Sequence, residues 1–316
     1  MKKVVVTGPT GVIGSAVIKK LIAENCKVYA VIRKTSKRIA NIIKHDNVKI
    51  IYCDVAEVKL LPEKIGENCD IFYHFAWTGT DNPANRMNMY IQIENVRYAL
   101  DAAEAAHSLG CSVFVGCGSQ AEYGNSGGII NAGRETNPVS GYGMAKLCAG
   151  QMTRVICQKY GIKHIWPRIV SVYGINDGEG TLISTVIRSL RKGESPRLTK
   201  CEQIWDYLYS EDAAEALWAM AEKGHNGAVY VLGNGQTIRL KKCVEVIKEE
   251  LHSDVHIGYG VIPYYADQVM FMQADIEALT ADTGWRPKTP FRQGIRKLLE
   301  HVAERDDVLI LEERVI

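Results

Sequence analysis

Val4-Val5-Val6-Thr7-Gly8-Pro9-Thr10-Gly11-Val12-Ile13-Gly14-Ser15-Ala16-Val17-Ile18 is the stretch that decides the fold. Three successive β-branched residues with no polar alternation fit a strand buried on both faces. Glycine then recurs at 8, 11 and 14, where such a strand would hand over to a helix beginning near Ser15. Gly8 allows a tight turn, Gly11 lets the backbone approach a pyrophosphate, and Gly14 lets the helix lie close to the sheet. With Thr10 inside the loop, a phosphate would rest on free N–H groups at the helix N-terminus, where the macrodipole favours negative charge. Without that chemistry, the same residues read as a glycine-rich turn chosen for packing.

Outward from this stretch, the first half of the chain repeats its alternation. Val4–Thr7, Val28–Arg33, Val48–Cys53, Ile71–Phe75 and Val113–Cys117 read as buried strands. Ser15–Glu24, Ser36–Lys44 and Asn85–Leu109 carry apolar residues at helical spacing between them. Strand–helix alternation of this kind implies right-handed crossovers and an α/β, doubly wound parallel sheet, the Rossmann architecture. Beyond about residue 165 the rhythm loosens into turn clusters such as Gly178-Glu179-Gly180 and Gly233-Asn234-Gly235, with helical stretches at Leu182–Arg191, Glu211–Lys223, Lys241–Leu251 and Pro290–Val302. The expected organisation is a cofactor-binding domain over residues 1–166, to which 204–235 returns. A smaller C-terminal substrate-binding lobe, from 167–203 and 236–316, would cover the carboxyl edge of the sheet, where open α/β folds bind ligands. The charged tail Glu304–Ile316 is expected to be loosely held.

Composition narrows the function. At 316 residues the chain has about two domains' worth of material and can bury a full core unaided. Lys+Arg 38 against Asp+Glu 36 gives +2, so no basic field points to nucleic acid or an anionic membrane surface. No apolar run approaches the ~20 residues of a membrane span, and the run after Lys2-Lys3 ends at Thr7-Gly8-Pro9, too soon for a secretory signal. Nine cysteines without CxxC or Cys/His pairing fit free thiols in a reducing cytoplasm and give no metal site.

The second strand ends in Val31-Ile32-Arg33-Lys34-Thr35-Ser36-Lys37-Arg38 with no carboxylate to accept from a ribose 2′-OH. Arg33, with Ser36 and Lys37 or Arg38 nearby, suits a 2′-phosphate, so NADP(H) is preferred to NAD; the alternative is a solvated basic turn. Asp54 would accept from an adenine amino group or simply cap a helix. Farther on, Tyr142-Gly143-Met144-Ala145-Lys146 puts a phenol and an ammonium on one helix face. The ammonium stabilises the phenolate form and can hold the nicotinamide ribose, so Tyr142 becomes a candidate to exchange a proton with a carbinol oxygen as hydride moves. Ser119, after the fifth strand, is placed to bond the same oxygen.

The glycine loop, Ser119-Gln120-Ala121-Glu122-Tyr123-Gly124, Tyr142…Lys146 and Arg168…Val172-Tyr173-Gly174 together resemble the extended short-chain dehydrogenase/reductase family, which includes the nucleotide-sugar epimerases, dehydratases and 4-ketoreductases. Asp177-Gly178-Glu179, Glu202-Gln203-Ile204 with Asp206-Tyr207, and Ala274-Asp275…Gly284-Trp285-Arg286-Pro287 are most similar to its CDP-abequose synthase-type reductases. The resemblance implies a catalytic set of Ser119, Tyr142 and Lys146. It also implies that His74-Phe75-Ala76 line the cofactor path, that Pro167 approaches the nicotinamide, and that Val12, Ile13, Val55 and Ile169 touch the cofactor. Trp77, Gln120, Ser171, Arg197, Trp205 and Arg239 fall on the substrate side, and a homodimer would form through Asn85–Leu109 and Tyr142–Tyr160.

Neighbours of the catalytic set separate the family's reactions. A 4,6-dehydratase needs acids directly after the Ser/Thr, and here Gln120 and Ala121 cannot transfer a proton. Where the family carries an arginine that grips diphosphate, this chain has Trp205, and its usual asparagine before Tyr-Gly is Ser171. Diphosphate binding would then move to residues such as Arg188, Arg197, Lys200 or Arg239, or the substrate differs; Trp205 could stack on a base or be a core aromatic. The expectation is an NADP-dependent reductase of a nucleotide-linked 4-keto-6-deoxy sugar. The alternatives are a nucleotide-sugar 4-epimerase with the same three residues and a non-catalytic NADP(H)-sensing protein, which would need no proton donor.

Overall fold

The computed structural model describes residues 1–313 except Asp81, Ser126, Ala266 and Asp267, with side chains described to residue 303. Its central sheet places the strands in the order Ala228–Leu232, Lys163–Ile169, Val113–Val115, Ile71–His74, Lys3–Thr7, Lys27–Ile32, Val48–Tyr52, and every pairing is parallel. The short strand Gly118–Ser119 adds to the end of Lys163–Ile169. The chain starts in mid-sheet, runs outward through Lys27–Ile32 and Val48–Tyr52, then returns to the other side of the first strand. Thr7 therefore lies between Val31 and His74 at the point where strand order reverses, which is where such sheets open a crevice for ligands.

Both sheet faces are covered, which is why the strands carry no polar alternation. On one face Val17, Ile18 and Leu21 of helix Val12–Ala23 meet Ala213, Leu217 and Met220 of helix Ser210–Lys223. On the other, Ala102, Ala103 and Ala106 of helix Met89–Ser108 and Cys157 of helix Gly141–Lys159 close over Val5, Phe72 and Phe114. Each fully buried valine or phenylalanine contributes about 1.5–3 kcal/mol. A separate cluster containing Tyr173, Ile183, Ile187, Val244, Ile247 and Ile295 joins helices Leu182–Arg191, Leu240–Glu250 and Phe291–Glu313. That last helix runs past Val302, and the tail residues 314–316 lie outside the described ones.

Two expected helices differ. Ser36–Lys44 has only a single turn of 3-10 helix, Ile39–Asn41; Ile42 alone is buried there, so a helix would have no apolar face to bury. Asn85–Leu109 is two helices, Pro83–Met87 and Met89–Ser108, because Asn88 turns extended and its Oδ1 accepts from Tyr90 N and Ile91 N as a new cap.

Candidate active site

A cavity of about 810 Å³ opens at the strand-order reversal. Its floor is the glycine loop: Thr7, Gly8, Pro9, Thr10 and Gly11 line it. Gly8 has φ +69°, and a Cβ there would stand 2.8 Å from the Ala76 backbone nitrogen; a Cβ on Gly14 would stand 2.1 Å from the Gly8 carbonyl oxygen. Only glycine lets the loop lie on the end of Ile71–His74 and the following helix lie on the loop. Gly11, which lines the cavity, is the N-cap of helix Val12–Ala23 and supplies no side-chain cap, so no capping side chain claims the N–H groups of the first turn. Val12, Ile13 and Gly14 stand behind that surface as the helix's first residues, and Gly14 acts through packing.

The far end is basic. Arg33, Thr35, Ser36, Lys37 and Arg38 line it, with Asp54 and Val55 opposite. Asp54 is occupied as a cap: its Oδ1 accepts from Ala56 N at 3.0 Å while the residue still borders the cavity. Asn41 donates to the Thr10 carbonyl at 3.0 Å and ties the basic loop to the glycine loop. Phe75 and Ala76 line the cavity as expected of them, but His74 does not. It is buried, with Nδ1 3.1 Å from the Thr7 hydroxyl, and burial, followed by the Lys146 charge, holds its pKa down to about 3. As the last residue of its strand, His74 instead stacks on Phe114, ring centroids 6.3 Å apart.

Trp77 carries the cavity wall to the Tyr142 helix. Its indole N–H donates to Gln92 Oε1 at 2.8 Å, one face lies 3.7 Å from the Lys146 ammonium, and its ring meets Tyr142 edge-on at 6.1 Å. Lys146 is 2% exposed, and its ammonium donates to the Cys117 carbonyl at 2.6 Å. A buried ammonium would be costly alone; the carbonyl and the indole face, worth up to about 2 kcal/mol when desolvated, offset that. Tyr142 begins helix Gly141–Lys159, which Ser140 caps through Gly143 N at 3.1 Å. Its ring is half-buried, 5.6 Å from the Lys146 ammonium, with the Arg86 guanidinium 4.4 Å over its face.

Ser119 is buried at the end of its short strand, and its hydroxyl accepts from Ala121 N at 3.2 Å. Glu122, not singled out from the sequence, fixes this turn. Its wholly buried carboxylate accepts from Ser119 N at 2.9 Å, Trp166 Nε1 at 3.0 Å and Arg168 Nε at 2.7 Å. Gln120 follows Ser119 half-buried on the same turn. Pro167 and Ile169 lie on the adjacent strand, Ile169 in register with Ser119, and neither borders the cavity.

A second cavity, about 350 Å³, is lined by Arg197, Gln203, Trp205, Tyr207, Leu182 and Leu240, among others. Trp205 donates from its indole N–H to the Ser171 hydroxyl at 2.8 Å, so two of the residues expected on the substrate side are bonded to each other. Arg197 joins them. Arg239 does not: it pairs with Ile204 across a two-stranded ribbon and faces solvent. Arg188 is drawn off to the Glu179 carbonyl at 3.1 Å. The buried Oε1 of Gln203 has no partner among the described residues. Among the described residues no cluster of metal-ligating side chains occurs, and no helix is long and apolar enough to cross a membrane.

The sequence profile of the NAD dependent epimerase/dehydratase family matches residues 4–233. CDP-abequose synthase of Salmonella muenchen is 25% identical over 94% of this chain and 97% of its own length. The dTDP-D-glucose 4,6-dehydratase of Homo sapiens is 27% identical over 96% of this chain and 90% of its own. Among solved structures, UDP-N-acetylglucosamine 4-epimerase of Methanobrevibacter ruminantium M1, in complex with UDP-N-acetylmuramic acid, superposes with a TM-score of 0.86 at 23% identity, covering 96% of this chain and 99% of that one.

Proposed function

Because the chain belongs to the NAD dependent epimerase/dehydratase family and is an NAD(P)-dependent oxidoreductase-type enzyme, we propose that it reduces a nucleotide-linked 4-keto-6-deoxy sugar with NADPH. The glycine cradle and uncapped helix start suit a pyrophosphate, and Arg33, Ser36 and Lys37 suit a 2′-phosphate at the cavity's far end. A bound pyridine nucleotide supplies the hydride. The protein's residues handle the proton: Tyr142 gives it to the nascent alkoxide, and Ser119 donates a hydrogen bond to the same oxygen. Lys146, held by the Cys117 carbonyl, keeps two further donors available for the ribose hydroxyls and its charge beside the phenol.

The observation that carries this reading is the buried Lys146 ammonium, set one helical turn from Tyr142 and against Trp77, which itself lines the cofactor cavity. Glu122 supports the choice of reaction. The one carboxylate in the turn after Ser119 is committed to Arg168, Trp166 and the Ser119 backbone, leaving no acid there for a dehydration. The cavity at Trp205 would take the nucleotide end, with the indole as a stacking wall and Arg197 as its cation. A 4-epimerase would use the same three residues with a retained cofactor.

Helices Met89–Ser108 and Gly141–Lys159 expose Tyr90 (86%), Ile93 (64%) and Val155 (62%), which fits a homodimer through this face. Seven buried free cysteines fit a reducing cytoplasm. Tyr142→Phe tests the assignment: turnover of NADPH with the keto sugar should fall by at least about a thousandfold while NADP⁺ affinity changes less than about threefold. An unchanged rate would remove Tyr142 from the mechanism. A nucleotide cofactor that survives gel filtration and is reduced and reoxidised within one turnover would favour the epimerase.

A further inference from the structure

Arg38 stands between the two cavities. On one side it lines the basic end of the larger cavity. On the other, its Nη2 donates to the Asn176 carbonyl at 2.6 Å, a contact spanning 138 residues of sequence. Asn176 begins a short bonded chain. Its neighbour Asp177 accepts from Gly178 N at 2.7 Å and from the Thr181 hydroxyl at 3.0 Å. Thr181 caps helix Leu182–Arg191 through Ser184 N, and Leu182, the first residue of that helix, lines the smaller cavity beside Trp205. Burial raises the Asp177 carboxyl pKa to about 6 against the Gly178 N–H, the Thr181 hydroxyl and, most weakly, the Arg38 charge, all of which lower it.

A guanidinium has five N–H donors in a fixed fork. One is spent on Asn176, so a phosphate in the larger cavity can be bound by others without breaking that bond. Binding there would restrict Arg38, and Arg38 would in turn restrict the Asn176 carbonyl. We propose that Arg38 is a positioning residue that couples occupancy of the cofactor cavity to the order of residues 174–182, and through Leu182 to the wall of the cavity at Trp205. The proposal rests on the larger cavity taking a pyridine dinucleotide. By linkage, a substrate held at the second cavity would tighten the cofactor by the same factor.

The test is hydrogen–deuterium exchange of the full-length protein, reading peptides over 174–185, without ligand and with saturating NADP⁺ or NAD⁺, each checked by calorimetry on the same sample. Variants Arg38→Ala and Arg38→Lys retain Arg33 and Lys37 and remove only an exposed side chain's fork. In the unaltered protein the bound dinucleotide should slow exchange in 174–185 by about tenfold, within the usual range for coupled sites. In Arg38→Ala binding should weaken by the loss of one phosphate contact, so the dinucleotide is raised until calorimetry shows saturation, and at that occupancy the slowing should vanish. Arg38→Lys, which keeps the charge but not the fork, should bind well and recover little of it. Equal slowing in the unaltered protein and Arg38→Ala, or none in either despite binding, overturns the coupling and leaves the cofactor reading intact. No heat of binding with either dinucleotide overturns both. A merely structural role would alter exchange without ligand and leave the ligand-dependent difference untouched.

Discussion

Glu122→Gln is the substitution whose outcome the structure constrains most closely. The carboxylate is wholly buried and accepts three bonds: Oε1 from Ser119 N at 2.9 Å and Trp166 Nε1 at 3.0 Å, and Oε2 from Arg168 Nε at 2.7 Å. Glutamine has one acceptor oxygen. With that oxygen in the Oε1 place, its NH₂ faces the Arg168 N–H, donor against donor. A charge-assisted bond worth about 1.5–3 kcal/mol is lost. A guanidinium 5% exposed keeps, among the described residues, the Tyr123 hydroxyl at 3.0 Å as its bonded partner. Removing one member of such a buried pair costs about 3–5 kcal/mol, a large share of the ~5–15 kcal/mol that holds a domain folded. Urea unfolding should show the midpoint falling with m unchanged, and Tm should drop by roughly 10 °C. Arg168→Met should cost a similar amount. The double variant Glu122→Gln/Arg168→Met should be less destabilised than the sum by about 2 kcal/mol or more, since neither buried charge remains. Turnover should change less than about tenfold, because the glutamine oxygen still holds Ser119 N. A loss of stability under about 1 kcal/mol, or strict additivity, would refute the argument. Abolished turnover in a protein of unchanged stability would make Glu122 a proton-transfer group and reopen the dehydratase reading.

Two further outcomes follow from the same geometry. Arg33→Ala/Lys37→Ala removes two basic groups from the larger cavity, the one proposed to take the cofactor; the Kd for NADP⁺ should rise about tenfold to a hundredfold while that for NAD⁺ holds, and equal weakening of both would discard the 2′-phosphate assignment. The buried imidazoles His74 and His164 have pKa values held down to about 3 and about 4, chiefly by burial. Below pH ~6.5 the unfolded chain protonates both and the folded one neither, so stability is complete above that pH and is lost as pH falls, at about 1.4 kcal/mol per unit per group. Asp177, raised to about 6, acts oppositely: between pH ~4 and 6 the folded state keeps a proton that the unfolded state releases. Urea titrations at pH 7 and 5 should show a net loss at pH 5 that His164→Asn reduces; equal stability at both values would contradict it.

How far the sequence could be read depended on how local the cause was. Val4-Val5-Val6 and the other β-branched runs lie on strands covered on both faces, and burial on both sides is a property each run records in itself. Helix Gly141–Lys159 was legible through Tyr142 and Lys146, a turn apart on one face, while its cap, Ser140, comes from the structure. Ser36–Lys44 misled because its apolar spacing was helical while the surface that would bury it was missing. Asn88, in contrast, is of a residue type that favours the N-cap and is used as one, while Asn95, inside the helix it opens, bonds the Thr78 and Ile91 carbonyls instead, so residue type alone does not decide a cap. His74 shows the limit of inference from neighbouring positions, since Phe75 and Ala76 line the cavity while His74 is buried against Phe114 and the Thr7 hydroxyl.

The side chains around the candidate active site were harder because their partners are distant in sequence. Glu122 meets Arg168 across 46 residues and Arg38 meets Asn176 across 138, and no spacing rule reaches that far. Trp205 and Ser171 are the instructive pair. Read singly, each is an unexplained departure from a pattern that carries arginine and asparagine at those places. Bonded at 2.8 Å they are one feature. An arginine at 205 would bring five donors to a wall where Ser171 offers one hydroxyl, and an asparagine at 171 would bring an amide to an indole that needs only one acceptor. The two substitutions relieve each other, so reverting either alone should cost more than reverting both. Trp205, fixed by that bond, lines a cavity in which Arg197 supplies a positive charge and Gln203 an acceptor without a partner among the described residues. A ligand taken there, as proposed above, would meet an aromatic face and an amide edge, with fewer ionic bonds than a guanidinium at position 205 would offer.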